Sequence, residues 1–201
     1  MSVYLTTLTA AKTHLKITGT ATFDAKITKI IQAGSRQIER YCNRKFKALR
    51  YTEFYDGKGS NLDFPANNIV IIKNPPIISL STLYDDTSRA FASSSLIPTS
   101  SYTYDPDSGI VELVSGVFSK GVKNIKIIYT GGYTETTYSS DMQDVEEVCL
   151  IWVGKEWKRY FEKIYGRQSS TRGDVTESLS MGSALDEDLK DRLSLHRLYS
   201  M

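Results

Sequence analysis

The 201-residue sequence predicts an α+β fold: a discontinuous helical bundle built from the two ends of the chain, with an inserted, mostly antiparallel β subdomain between them. Three observations predict it. Apolar residues recur at helical spacing near both ends; the stretch from about residue 50 to 130 changes to period two with proline and glycine turns; and neither helical end carries enough apolar surface to form a core alone. The expected division is 1–49 and 131–201 for the bundle and 50–130 for the insert.

At the N-terminal end, Leu8, Ala11 and Leu15 recur at helical spacing, with Thr9 as the capping candidate, and predict a short helix ending near Ile17 and Gly19. A stronger helix follows, capped by Thr22 or Asp24. Its Ile27, Ile30, Ile31, Gly34, Ile38 and Tyr41 form a single apolar stripe. An interior glycine costs about 1 kcal/mol of helix propensity relative to alanine, so Gly34 points to close approach by another backbone.

In the insert, Tyr51, Thr52, Phe54 and Tyr55 lead into an Asp56-Gly57 turn, and further strands are expected near 62–64, 69–72, 78–84, 101–104, 110–114 and 124–130. Asn74-Pro75-Pro76, Asp85-Asp86 and Asp105-Pro106-Asp107-Ser108-Gly109 punctuate them. The spacing leaves no room for crossover helices, which predicts an antiparallel meander or small barrel. After Gly131-Gly132, Ser140 or Asp141 caps a long helix over 141–164 with Val145, Val148, Cys149, Trp152, Tyr160, Phe161 and Ile164 as its stripe. Residues 166–184 are rich in Gly, Ser and Thr and read as a flexible linker. A closing helix has Asp186, Glu187 and Asp188 at its start and Leu185, Leu189 and Leu193 along one side.

The composition is that of an ordinary soluble protein with 40% hydrophobic residues. Its apolar runs are too short to span a bilayer, and no secretion signal is evident. Cys42 and Cys149 lack the spacing of a disulfide framework or zinc site, which points to reduced, cytoplasmic synthesis. The net charge of +2 conceals an asymmetry, because residues 1–50 hold ten Lys or Arg against Asp24 and Glu39. Arg36, Arg40, Arg44, Lys45 and Lys47 are the candidate DNA-facing residues within it. The plainer alternative is a solvated face whose charge meets the acidic remainder of the chain.

No catalytic constellation emerges. His14 and His196 have no sequence-evident partners, Gly57-Lys58-Gly59-Ser60 lacks the spacing and following helix of a phosphate loop, and the Asp105–Gly109 turn lacks the glutamate a calcium loop requires. No cofactor is expected. An enzyme with a carboxylate site assembled from distant segments stays open at this level.

The segment Leu8-Thr9-Ala10-Ala11-Lys12-Thr13-His14-Leu15-Lys16-Ile17, the helix ending Tyr41-Cys42-Asn43-Arg44-Lys45-Phe46, the insert ending Ile127-Ile128-Tyr129-Thr130-Gly131-Gly132-Tyr133 and the long helix after it occur in a familiar order. The chain resembles the head-tail connector (adaptor, head-completion) proteins of tailed bacteriophages and prophages. The resemblance spans roughly residues 5–165. It implies a structural virion protein with no catalytic residues, assembled as a homo-oligomeric ring, dodecameric, under the portal protein. It also implies docking of a downstream connector or tail-completion protein, packaged DNA passing through the lumen without sequence readout, and no membrane partner. The alternative is a small nucleic-acid-binding module using the basic N-terminal helices. Trp152, Trp157, Tyr160, Leu185, Leu189 and Leu193 are the candidate oligomer or partner interface, and deletion of 180–201 is expected to leave a folded monomer.

Overall fold

The N-terminal apolar stripe becomes α2, Asp24–Cys42, which buries Ile27, Ile30, Ile31, Gly34, Ser35, Ile38 and Cys42 along one side. It belongs to a computed structural model that describes residues 4–58, 68–162, 169–172, 175–178 and 185–198. The chain divides into a helical unit, Met1–Arg44 with Tyr138–Met201, and a β unit, Lys45–Thr137.

In the helical unit, α1, Leu8–His14, is capped by Thr7 rather than Thr9: the Thr7 hydroxyl accepts from the Ala10 amide at 3.1 Å. Neither Thr22 nor Asp24 caps α2. Phe23 holds that position without a side-chain bond, while Asp24 lies in the first turn, where its carboxylate suits the helix dipole and pairs with Lys12 at 2.7 Å. The C-terminus of α2 closes on Asn43 at φ 53, a left-handed position that asparagine tolerates.

The long C-terminal helix is preceded by a second one that the sequence does not announce: α3, Glu135–Asp141, then α4, Gln143–Glu162. Polar α3 has no apolar period to reveal it. Its one buried residue is Tyr138, whose hydroxyl donates to the Leu5 carbonyl at 2.8 Å. Helix α4 runs antiparallel to α2, with Trp157 against Phe23 at one end and Cys149 Sγ lying 3.9 Å from Ser35 Oγ nearer the other. Gly34 is explained by this packing, although the close neighbour is a side chain: a Cβ there would lie 2.6 Å from Trp152 Cε3. Val145, Val148, Cys149, Trp152 and Val153 are buried, but Phe161 is 65% exposed. At 100° per residue Phe161 sits about 180° round the helix from Trp152, so it leaves the expected stripe; Ile164 lies outside the described residues.

The closing helix is α5, Glu187–Leu193, which packs on α4 and α2 within the same unit. After it the chain returns a backbone bond from the Leu198 amide to the Cys42 carbonyl at 2.9 Å. The expected linker 166–184 carries a short antiparallel hairpin, Ser169–Arg172 with Val175–Ser178; its other residues lie outside those described.

The β unit contains β1, Leu49–Gly57; β2, Ile69–Ile71; β3, Ile77–Asp85; β4, Leu96–Ile97; β5, Tyr102–Asp105; β6, Ile110–Leu113; and β7, Gly121–Gly131. The strand expected at 62–64 is outside the described residues. All pairings among these strands are antiparallel, in two sheets of order β1-β7-β3-β4 and β2-β6-β5. This is not a meander. Strand β7 buries Ile125, Ile127 and Tyr129 on alternate positions and is long enough to pair along both edges, so it takes the middle of the larger sheet between β1 and β3. Both sheets feed one core, in which Val70, Tyr102, Val111 and Leu113 join Ile77, Leu83, Phe118, Ile125, Ile127 and Tyr129.

Gly57 ends β1 rather than forming the expected turn, and a Cβ there would meet the Ser119 carbonyl oxygen at 1.9 Å. Buried Asn124 fastens this corner. Its side chain accepts from the Gly57 amide at 2.9 Å and donates to Asp85 Oδ1 at 2.9 Å and the Ser119 carbonyl at 2.8 Å. Glu53 does the same for the Asn74-Pro75-Pro76 turn, accepting from Tyr129 Oη at 3.0 Å, Asn74 Nδ2 at 3.1 Å and the Tyr55 hydroxyl. Burial and the Glu53 carboxylate push both tyrosine hydroxyls well above their ordinary pKa, which keeps them protonated as donors.

Candidate assembly surfaces

The residues expected to meet a partner separate into two groups. Trp152 is 4% exposed, and Leu185, Leu189 and Leu193 are 6%, 0% and 0% exposed. These four are core of the helical unit and are unavailable as surface while it is folded, because the 185–193 segment folds back on α2 and α4. Trp157 and Tyr160 are half-buried and do reach the surface.

Around them the antiparallel packing assembles an aromatic ledge. The Trp157 ring has the Phe23 ring edge-on at 5.2 Å, the Tyr160 ring at 5.7 Å and exposed Phe161 stacked at 6.1 Å, while Lys26 Nζ lies 4.2 Å from the centre of Tyr160. Phe23 and Lys26 escape a sequence reading because they stand more than a hundred residues from Trp157. The helical period of α4 carries a signal for Phe161, since it falls off the buried stripe.

The basic candidates also separate. Arg36 and Arg40 are exposed on α2, Arg44 is half-buried just beyond it, and these three belong to the helical unit. Lys45 is exposed in the β unit, whereas Lys47 is 9% exposed and paired with Glu135 at 3.2 Å. Lys47 is therefore spent on a local contact and is not a free surface cation. Lys29 shares the exposed side of α2 with Arg36 and Arg40, and none of these three forms an ion pair among the described residues. No acid among the described residues neutralises this stripe.

A second aromatic surface lies on the β unit. Phe91 stands 5.6 Å from the 43%-exposed Phe54 and 6.2 Å from Tyr84, and Lys126 Nζ lies 5.1 Å from the Phe91 ring. Asp86 holds the loop that presents it, accepting from the Ser88 amide at 2.9 Å and the Phe91 amide at 2.6 Å. The Ser88 hydroxyl and these amides hold the Asp86 carboxyl below its ordinary range.

In the described residues no group of three or more His, Cys, Asp or Glu is placed to hold a metal ion, and no helix is long and apolar enough to cross a membrane. No curated protein matches the chain. Among solved structures, it is similar to a chain in the virion of a native gene transfer agent particle, at 12% identity and a TM-score of 0.61, covering 98% of this chain and 91% of that one. It is also similar to chains in the neck of the empty particle with C6 symmetry, at 14% identity and TM-score 0.62, and the neck of the native particle with C12 symmetry, at 13% and 0.60. Each of these covers 100% of this chain and 94% of the other. At these identities the likeness establishes a shared fold over essentially the whole chain. The head completion protein family matches from residue 4 to residue 199, and the chain belongs to that family.

Proposed function

We propose that the protein is a head-tail connector: a ring-forming structural component of a phage-like virion that sits under the portal, carries the next connector or tail-completion protein and lets DNA pass through its lumen. The observation that carries this reading is membership of the head completion family over 4–199. The full-length fold likeness to chains of gene transfer agent necks, one with C12 symmetry, supports a dodecameric ring. The reading is non-enzymatic and needs no cofactor; it places the protein at the head-tail interface after synthesis in the bacterial cytoplasm.

Within it, the unpaired stripe of Lys29, Arg36 and Arg40 supports α2 as the side turned toward the DNA backbone, where contact is electrostatic and blind to sequence. The same stripe supports the second reading, a nucleic-acid-binding module. One experiment separates the two: electron microscopy of the purified protein mixed with purified portal rings, beside a duplex-DNA titration at several salt concentrations. Extra ring density on the portal supports the connector. Failure to bind portal, together with tight monomeric duplex binding that weakens steeply with salt, overturns it in favour of the module.

A further inference from the structure

The larger sheet of the β unit turns one face to its core and the other outward. Its register sets Phe54 opposite Lys126, Lys126 opposite Tyr84, and Tyr84 opposite Leu96, so these four residues form one row across β1, β7, β3 and β4. Their strand neighbours Tyr55, Ile125, Leu83 and Ile97 belong to the core, and alternation therefore sends the row to the opposite face. At the usual strand separation the row is about 14 Å wide. Phe54 and Leu96, at its two ends, are 43% and 42% exposed, and Phe91 joins Phe54 and Tyr84 from the loop after β3.

The loop is held under strain. Arg89 and Phe91 stand at φ 61 and φ 51, left-handed conformations that a bulky side chain resists. Asp86 keeps them there, accepting from the Ser88 amide at 2.9 Å, the Ser88 hydroxyl at 2.6 Å, the Phe91 amide at 2.6 Å and the Ser95 hydroxyl at 3.3 Å. A strained loop fastened so that it sets an aromatic ring on an outward face points to function there. The row is also charged. Half-buried Lys126 has its Nζ 5.1 Å from the centre of Phe91 and 5.5 Å from that of Tyr84, and it forms no ion pair with any described residue; nor does exposed Arg89. The acids at the ends of these strands are turned elsewhere, Asp56 to the Lys123 amide at 2.7 Å and Asp85 to the Ser119 amide at 2.7 Å.

We propose that this row docks an acidic peptide segment of another protein, whose apolar side chains cover Phe54, Phe91 and Leu96 while a carboxylate meets Lys126 and Arg89. The carboxylate follows from the lysine. A partner that covers the rings also takes water from the Lys126 ammonium, and a buried charge is costly unless an opposite charge meets it. No described residue of this chain supplies that charge, so the partner brings it. Single-stranded nucleic acid is anionic too, but it binds by stacking bases on open ring faces. Here the rings pack on one another, at 55° for Phe54 with Phe91 and 73° for Tyr84 with Phe91, which leaves no common plane for stacked bases. The site is independent of the ring reading and needs no second copy of the chain.

The test selects binders to the full-length protein from a random peptide library displayed on ribosomes. Selected sequences are expected to combine Asp or Glu with large apolar residues. The strongest, made with a fluorescent label, is compared by anisotropy with its Asn/Gln counterpart and with labelled oligothymidylate. Replacing its acids by amides is expected to weaken binding by about tenfold or more. Lys126→Gln is expected to bind both peptides alike, and Phe54→Ser with Leu96→Ser, at exposed positions, to weaken both. Circular dichroism checks folding. Should Lys126→Gln unfold, salt reads the same contact in wild type: the acidic peptide loses affinity as salt rises and the amide peptide does not. A selection that yields no binders, binders without acids, or binders that hold the double serine variant as tightly as wild type overturns the site. Oligothymidylate that binds wild type more tightly than the peptide and is lost in that variant overturns the peptide in favour of nucleic acid. Self-association of wild type in sedimentation velocity that the same two serines abolish assigns the row to a second copy and likewise overturns it.

Discussion

Gly34 shows how one residue sets the spacing of two helices. Alanine at this position would gain about 1 kcal/mol of helix propensity, but its Cβ would press into the Trp152 ring, which is itself buried and has little room to withdraw. Overpacking of this kind costs about 1–3 kcal/mol. Gly34→Ala is therefore expected to lower the midpoint of chemical denaturation with the slope unchanged; an unchanged or raised midpoint would show that the ring moves aside cheaply. The sequence signals Gly34 as a point of close approach, because a glycine inside an apolar stripe has to be compensated somewhere. It does not say that an indole rather than a backbone arrives there, since the partner is more than a hundred residues away.

Among the elements, the closing helix departs most from expectation. Its leucine spacing is plain in the sequence, but an amphipathic helix after a polar stretch reads equally as an arm for a neighbour or as part of its own core. Burial decides between them: Leu189 and Leu193 are fully enclosed. Leu189→Ala is expected to destabilise the helical unit by about 2–5 kcal/mol, the usual range for a buried leucine, read as a fall in denaturation midpoint. Deletion of 180–201 should then yield a loosened helical unit instead of the folded monomer that the sequence suggests; a truncated protein with wild-type Tm would show that the tail contributes nothing to the core. The helices and most described strands lie within a few residues of where periodicity puts them, because period is a local property. The helix caps, α3 and the sheet order are not legible in this way. Those depend respectively on backbone geometry at one residue, on a single buried tyrosine, and on pairings such as Tyr51 with Tyr129 that no local pattern records.

For the whole molecule, the same limit separates what the candidate surfaces share. Trp157 and Tyr160 are legible as surface aromatics and Arg36 and Arg40 as surface cations, while Phe23 and Lys26 join the two aromatics, and Phe91 joins Phe54 and Tyr84, only through folding. The β unit is one continuous stretch of chain with its own two-sheet core, so a fragment of residues 45–137 is expected to fold alone, with a cooperative thermal transition and dispersed amide resonances. A fragment that gives neither signal would mean that its core needs the rest of the chain. The helical unit has no such independence, because α2 comes from the start of the chain and α4 and α5 from its end. During translation, α2 leaves the ribosome with its isoleucines uncovered, and they stay so until α4 has been made. That interval spans synthesis of the entire β unit, so the two-sheet core can form while the isoleucine face of α2 still waits for its cover.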